Sequence, residues 1–281
     1  MALPNHLIFV RHGLSEGDIV SHNGGDGDPQ YYTDEFRERP GIDWRLAERG
    51  VEQAKAAGSW ISRFVLGSHP DLKTFQYWMV SSAARAMETA AHLDLPHAAW
   101  RVDTRARERD WGDIGSMPRV EYEQAYPDNA ASKQREPLYW RPPGGESIAQ
   151  VAEVRVSSIL RTLHQQHDEN GVESVIIVAH GEFIWAAHLL LERMAHEQWK
   201  MAEKNASRRL RNGQVVQFDR LHPETGEQAP TYAYRRSVCS WETPDSEGEW
   251  HNILPRRYTN QELLEIVHRI PPLDIPSAQK R

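Results

Sequence analysis

The chain has 281 residues, of which 39% are hydrophobic and 26% charged, and its net charge is −7. This composition is typical of a soluble globular protein that buries a core without disulfide or metal support, and the negative charge argues against a general nucleic-acid binder. No apolar stretch approaches the roughly 20 residues of a membrane span, so we expect no membrane partner. No signal peptide is recognisable, and the single cysteine, Cys239, excludes an intrachain disulfide. We therefore expect a cytoplasmic protein.

The first predicted strand, Leu7 to Val10, is continuously apolar, as strands buried on both faces are. A second apolar strand is predicted at Tyr77 to Val80. Between them lies a predicted helix whose apolar residues recur at steps of three and four: Val51, Ala54, Gly58, Ile61 and Val65.

The alternation of helices and strands continues further along the chain. A helix with an apolar face between Ile148 and Leu163 begins at a capping box formed by Ser147 and Gln150. The apolar strand Ser174 to Ala179 follows, and a helix is predicted from about Phe183 to Met194. This order predicts an α/β fold: a three-layer sandwich in which a mainly parallel sheet carries helices on both faces.

The remaining segments are less regular. A further strand is predicted at Gln214 to Phe218, and an amphipathic helix at Thr259 to Ile270. Turn-forming and polar residues predict irregular structure at Ser21 to Pro29, at Thr243 to Glu249 and in the tail, Pro271 to Arg281.

Residues suited to bind an anion lie at or just after the carboxyl ends of three predicted strands. The first strand ends in Arg11 and His12, the second leads into a helix whose first turn carries Arg85, and a third ends in His180. Ligands of parallel sheets bind beyond the carboxyl ends of the strands. The sequence therefore predicts one shared pocket, although each residue alone would be an ordinary surface or loop residue.

Phosphate is the anion that this set suits best. A neutral imidazole with an ordinary pKa of about 6.5 is a competent nucleophile, so His12 could form a bond to phosphorus. Arg11 offers bidentate recognition of phosphate, Gly13 lets the backbone approach a ligand, and Arg85 lies where a helix N-terminus adds positive potential. A protonated His180 could donate a hydrogen bond to a phosphoryl oxygen.

Phosphoryl transfer to or from an alcohol also requires a proton donor. Glu108, in the segment TRARERDWGDIG, is the candidate, and it must be protonated when the alcohol leaves. Asp110 and Asp113 in the same charged loop are rivals on the sequence alone.

Five motifs in this order resemble the histidine phosphatase superfamily, also called phosphoglycerate mutase-like, over roughly residues 5–220. They are LIFVRHGLSEGD, SSAARAMETA, RERDWGDIG, PPGGES and VIIVAHGEF. The resemblance implies that His12 becomes phosphohistidine, that Arg11, Arg85 and His180 bind phosphate, and that Glu108 is the general acid. It also implies a small phosphorylated substrate, with no metal ion and no other cofactor. The residues expected to touch the substrate are Gly13, Ser15, Asp18, Arg109, Arg141 and Gly181.

The sequence departs from the family pattern at three positions. Asp18 stands where the signature usually has asparagine, which would place an extra negative charge at the pocket mouth. Ser82 replaces a proline, and Ala47 replaces a residue whose hydroxyl would cap a helix. Neither of the last two touches the proposed chemistry.

Three functions follow from this resemblance. The mutase branch carries a pair of arginines in a W-R-R-S-type motif, whereas this chain has LYWRPPGGES with Arg141 alone, which favours a phosphatase. A mutase is the alternative. A non-catalytic relative that binds a phosphorylated ligand is a second alternative, which the presence of all five core residues disfavours.

The predicted catalytic domain spans residues 1–221, with a loop or lid insertion near 19–44 and a helical insertion near 116–141. Residues 222–281 form a C-terminal extension that we expect to pack on the same domain. Three roles stay open for it: extending the sheet, covering the pocket, or mediating association, for example into a homodimer.

Overall fold

Residues 3–23, 29–68, 72–205 and 209–273 are described by the computed structural model. In that part of the chain seven strands form one sheet, in the order β3-β2-β4-β1-β5-β6-β7. The strands are β1 (His6–Arg11), β2 (Tyr77–Val80), β3 (Arg101–Val102), β4 (Ser174–Ala179), β5 (Val215–Asp219), β6 (Tyr234–Val238) and β7 (His251–Asn252).

Eleven α-helices accompany the strands within the described residues. They are α1 (Glu16–Asn23), α2 (Asp34–Glu38), α3 (Glu48–Ile61), α4 (Ala84–His92), α5 (Arg119–Ala125), α6 (Pro127–Arg135), α7 (Ile148–Gln150), α8 (Ser157–Asn170), α9 (Gly181–Leu191), α10 (His196–Lys204) and α11 (Asn260–His268). Two segments, Ser62–Leu66 after α3 and Val151–Val156 between α7 and α8, have the wider π-helical hydrogen bonding.

The sheet is parallel on one side and antiparallel on the other. β3, β2, β4 and β1 are paired in parallel, whereas β5, β6 and β7 are added by antiparallel pairing. Every residue of β4 is buried because parallel neighbours and helices cover it on all sides. The α/β fold is therefore confirmed, and β6 shows that the region beyond residue 221 extends the sheet.

Alternate residues of β1 point into two separate cores. Leu7 and Phe9 pack with the helices α7 to α10, whereas Ile8 and Val10 pack with α3 and α4 on the opposite face. The two cores give the three layers that the sequence predicts. No helix of the described residues is long and apolar enough to cross a membrane.

Local predictions were met at several boundaries and missed at others. The capping box at Ser147 is present, and Thr259 caps α11. The predicted loop from Ser21 is wrong at its start because α1 continues to Asn23; residues 24–28 of that prediction and residues 274–281 of the predicted irregular tail lie outside the described residues.

Candidate active site

The carboxyl ends of β1, β2 and β4 bring three predicted residues together. His12 follows β1, Arg85 lies in the first turn of α4 after β2, and His180 follows β4 as the N-cap of α9. All three side chains are buried: His12 is 3% exposed, Arg85 8% and His180 0%. Adjacent parallel strands therefore converge on one pocket, as their order in the sheet requires.

The ring of His12 is held in one orientation. Its Nδ1 lies 2.8 Å from the carbonyl oxygen of Gly13, and because a carbonyl only accepts, Nδ1 must carry the proton. Nε2 is thus the acceptor, and Arg85 Nε donates to it at 3.2 Å. Burial lowers the pKa of His12 to about 3, so the ring is neutral and keeps a lone pair on Nε2.

The loop after β1 is packed closely against α3. A Cβ on Gly13 would lie 2.2 Å from the carbonyl oxygen of Gly50, so only glycine fits at this position. The amide of Gly13 donates to Thr89 Oγ1 at 3.0 Å, and the amide of Leu14 donates to Gln53 Oε1 at 2.8 Å. These contacts fix the carbonyl that orients His12.

Arg85 connects the two histidines. Besides donating to His12, it lies with Nη2 3.2 Å from His180 Nδ1, and its Nη1 donates to the carbonyl of Gly41 at 2.6 Å. The ring centroids of His12 and His180 are 5.0 Å apart. One guanidinium therefore bridges the two imidazoles.

His180 is neutral in this arrangement. Burial, followed by the charge of Arg85, lowers the pKa of His180 well below its usual value. Its Nε2 lies 2.8 Å from Ser81 Oγ. The protonated form expected from the sequence is not favoured here. Because a guanidinium only donates, Nδ1 accepts from Arg85 and the single ring proton lies on Nε2, which donates to Ser81. A hydrogen bond from His180 to a phosphoryl oxygen therefore requires one of these two contacts to change when phosphate binds.

Arg11 completes the cationic side of the pocket. Its Nη1 donates to the carbonyl of Leu210 at 2.5 Å and its Nη2 to Asp18 Oδ1 at 2.9 Å. Nε is buried and makes no hydrogen bond to the described residues. A Cβ on Gly181 would lie 3.3 Å from Nε, so the absence of a side chain at Gly181 keeps the guanidinium uncrowded on that side.

Asp18 does not stand at the pocket mouth as an open charge. Its side chain is 12% exposed, and Oδ2 accepts from the amide of Ser15 at 2.9 Å, from Ser15 Oγ at 2.6 Å and from Asn212 Nδ2 at 3.0 Å. Although burial raises its pKa, His12, Arg11 and Ser15 together lower the pKa of Asp18 to about 2. Asp18 and Ser15 thus form a hydrogen-bonded pair next to Arg11 and His12.

Glu108 reaches the start of α9 from a neighbouring loop. Its Oε1 accepts from the amide of Arg109 at 2.9 Å and from the amide of Phe183 at 3.3 Å, three residues beyond His180. The rival carboxylates face their own loop, since Asp110 Oδ1 accepts from the amide of Gly112 at 2.8 Å and Asp113 Oδ1 lies against Gly144. Of the three carboxylates in this loop, Glu108 is therefore the one that contacts α9, the helix that begins after His180.

Arg109 and Arg141 are engaged away from the two histidines. Arg109 pairs with Glu182 and lies with its guanidinium carbon 4.1 Å from the ring centroid of Trp111. Arg141 Nη2 donates to the carbonyl of Gly145 at 3.1 Å and so shapes the loop before α7.

Comparison with known proteins identifies the family. Residues 7–212 match the histidine phosphatase superfamily (branch 1). The chain belongs to the histidine phosphatase superfamily. This membership confirms the family and the type of enzyme that the five motifs predict.

Two relatives within the superfamily carry different named activities. The chain is 30% identical over 197 residues to a glucosyl-3-phosphoglycerate phosphatase from Mycolicibacterium vanbaalenii, covering 69% of this chain and 76% of that protein. It is 28% identical over 201 residues to a 2,3-bisphosphoglycerate-dependent phosphoglycerate mutase from Methylobacterium radiotolerans, covering 68% and 81%. A solved structure of a mycobacterial glucosyl-3-phosphoglycerate phosphatase with VO3 is similar, with a TM-score of 0.56, 26% identity, and coverage of 76% of this chain and 92% of that one.

Several residues of the candidate site are not among those that the sequence predicts. Ser81 and Thr89 lie within the motif SSAARAMETA, so their hydroxyls could have been noticed there. Asn212 gave no signal, because its contact with the backbone of His12 spans 200 residues of sequence. Arg155, which holds the Glu108 loop, lies on a helix whose pattern indicated only packing.

Proposed function

We propose that the chain is a metal-independent phosphomonoester hydrolase that acts through a phosphohistidine on His12, with Glu108 as the proton donor. The observation that carries this proposal is the unprotonated Nε2 of His12, held 3.2 Å from Arg85 Nε in a pocket shared with Arg11 and His180. A fixed lone pair facing cationic donors suits attack on phosphorus.

In the first step, His12 Nε2 attacks the phosphorus atom of the substrate. The N–P bond forms as the P–O bond to the leaving alcohol breaks, and that oxygen takes a proton from Glu108. Arg11, Arg85 and His180 hold the three non-bridging oxygens, whose charge they stabilise as the bonds change.

In the second step, water attacks the phosphohistidine. Glu108, now a carboxylate, takes a proton from the water as the new P–O bond forms. The N–P bond breaks, and its electron pair returns to His12 Nε2. Inorganic phosphate then leaves, and Glu108 is again protonated for the next cycle.

Hydrolysis is favoured over mutase chemistry by Arg141. It is the only arginine in LYWRPPGGES, and its guanidinium donates to Gly145 within its own loop. Mutase activity is the alternative function, since one relative is named as a phosphoglycerate mutase. With 3-phosphoglycerate and a bisphosphoglycerate primer we expect no 2-phosphoglycerate; its formation at a rate above hydrolysis would replace our proposal by the mutase.

The substrate that we propose is a small phosphate monoester. A panel of sugar phosphates, nucleotides and phosphopeptides should include glucosyl-3-phosphoglycerate, which appears in the name of a relative. The compound with the highest kcat/KM identifies the substrate class, and a preference for phosphopeptides would contradict the proposal of a small molecule.

Hydrolysis of 4-nitrophenyl phosphate tests the proposal. Wild-type protein should turn over, His12→Ala should be inactive, and His268→Ala on exposed α11 should match wild type. EDTA should leave the rate unchanged. Absence of turnover by wild type would favour the non-catalytic binder, equal turnover by His12→Ala would exclude the nucleophile, and inhibition by EDTA would exclude a metal-independent reaction.

A further inference from the structure

A carboxylate lies behind the proposed nucleophile, on the side away from the phosphate. Asp18 Oδ2 is 3.7 Å from His12 Nδ1, while that nitrogen keeps its own hydrogen bond to Gly13 at 2.8 Å. The same carboxylate accepts from Arg11 through Oδ1. Asp18 is therefore close enough to interact electrostatically with both the proposed nucleophile and the arginine proposed to bind phosphate.

The charge of the His12 ring changes during the proposed reaction. Before attack the ring is neutral, with a proton on Nδ1 and a lone pair on Nε2. Once Nε2 has bonded to phosphorus, the ring carries a formal positive charge, because the proton on Nδ1 is retained. In the second step the N–P bond breaks and the ring becomes neutral again.

A negative charge at 3.7 Å stabilises the positive ring far better than the neutral one. The interaction takes place where both side chains are largely shielded from water, since His12 is 3% and Asp18 12% exposed at the side chain. Solvent screening is weak in such a place.

We propose that Asp18 is a positioning residue that stabilises the phosphorylated form of His12, so that it speeds formation of the phosphohistidine and slows its hydrolysis. This proposal rests on the proposed function. Ser15 and Asn212 hold the carboxylate in place through Oδ2. Asparagine, the usual residue of the family signature, would accept similar hydrogen bonds but would supply no charge.

The two steps of the reaction separate this role from a merely structural one. Loss of the charge makes Nε2 a weaker nucleophile and a better leaving group, so the first step slows while the second does not. Loss of structural support would misplace His12 in both steps and slow both.

The test is rapid quenching of the reaction with 2,4-dinitrophenyl phosphate, which gives the rate constants of phosphoenzyme formation and hydrolysis separately. In Asp18→Asn and Asp18→Ser we expect formation to slow about threefold, because only part of a one-unit decrease in the basicity of the nucleophile affects the rate when the transition state is loose. Hydrolysis should be unchanged or faster, so less phosphoenzyme is present at steady state. Two neutral variants are used so that misfolding of one leaves the other to decide.

Two further variants are controls. Asn212→Ala removes one donor to Asp18 Oδ2 but no charge, so the ratio of the two rate constants should stay near that of wild type even if both rates fall. Asp18→Glu keeps the charge and should recover most of the wild-type ratio.

The results distinguish the failure of this proposal from the failure of the proposed function. Equal slowing of both steps in the neutral variants, or accumulation of phosphoenzyme, would overturn the role of Asp18 while leaving the phosphohistidine mechanism intact. A wild-type protein that hydrolyses the ester without any phosphoenzyme would overturn the proposed function itself, and with it this role.

Discussion

At the scale of single residues, burial sets both the reactivity and the energetic cost of His12. The pocket lowers the pKa of His12 to about 3, and that of His180 well below its usual value, mainly because charged rings are poorly solvated there. The same burial that keeps Nε2 unprotonated opposes protonation of the folded protein. The unprotonated state of Nε2 and the loss of stability in acid therefore have the same cause, which is burial of the ring.

This link predicts how stability changes with pH. An unfolded chain binds protons at these histidines below about pH 6.5, whereas the folded chain does not until near pH 3 at His12. The free energy of unfolding is therefore highest above pH 6.5. It decreases as the pH falls toward 3, because only the unfolded chain binds a proton at this histidine, and the loss is about 3 kcal/mol near pH 4.5. Urea unfolding between pH 7 and 4.5 measures it.

The matched variants are His12→Gln and His268→Gln. We expect the first to lose less free energy of unfolding than wild type on acidification, because it has no ring to protonate in the unfolded state. The second changes an exposed histidine and should follow wild type. Parallel curves for wild type and His12→Gln would contradict a lowered pKa at His12.

The residues that could be predicted are those that end a strand within one short motif. His12, Arg85 and His180 each follow a strand with a clear apolar pattern, and parallel strands must bring their carboxyl ends together. Leu210 and Asn212 could not be predicted, because they reach the pocket through a loop that packs on it only in the folded chain. Asp18 was predicted at the pocket mouth as an extra negative charge, but its hydrogen bonds with Arg11, Ser15 and Asn212 could not be predicted, because they depend on the folded chain.

At the scale of elements, the loop that carries Glu108 is held by a buried clamp. Arg155 is 4% exposed, and its Nη1 donates to the carbonyl of Arg107 at 2.6 Å. Its Nη2 donates to the carbonyl of Glu108 at 3.3 Å and to Glu146 Oε2 at 2.7 Å. The π-helical segment Val151–Val156 supplies this arginine, and such segments are frequent at functional sites.

Arg155→Met should misplace Glu108 and weaken the fold. Loss of the guanidinium removes the ion pair with Glu146 and leaves the carbonyls of Arg105, Arg107 and Glu108 without this donor, which costs about 3 kcal/mol of unfolding free energy. Because proton donation matters most for a poor leaving group, kcat should fall strongly with an alkyl phosphate and little with 2,4-dinitrophenyl phosphate.

Glu108→Gln is the comparison for that pattern, since it removes the proton donor directly. Lys55→Met, on the exposed face of α3, is the stability control. If Arg155→Met lowered kcat equally for both leaving groups, its effect would not pass through Glu108.

The elements themselves were predictable where the pattern is long and regular. The continuous apolar runs of β1 and β4 and the capping box before α7 each specify their structure locally. β3 has only two residues, and its pairing depends on β2 rather than on its own sequence. The π-helical segments were missed because their apolar spacing differs little from that of an α-helix.

At the scale of the whole molecule, the region beyond residue 221 has two parts with different packing. β6 pairs with β5, and Arg236 on β6 donates to Gln217 Oε1 on β5 and to the carbonyls of Glu247 and Phe64. By contrast, α11 buries none of its residues. We therefore propose that only the first part belongs to the catalytic domain, whereas the cytoplasmic location and the homodimer stay predictions.

Two truncations test this division. Removal of residues 258–281 should leave the melting temperature and the activity close to wild type, because no buried side chain of α11 is lost. Removal of residues 222–281 should give an insoluble or unfolded protein, because it exposes the edge of β5 and the core beneath it. A folded, active chain of residues 1–221 would contradict the packing that we propose.

The central claim is that the phosphoryl group passes through His12 to water, and a trapped intermediate tests it most directly. Wild-type protein quenched during turnover in ¹⁸O-labelled water should carry one phosphoryl group, mapped by mass spectrometry to His12, and the released phosphate should contain one solvent oxygen. Phosphorylation of another residue, or labelled phosphate released with no phosphoenzyme at any time, would contradict the account.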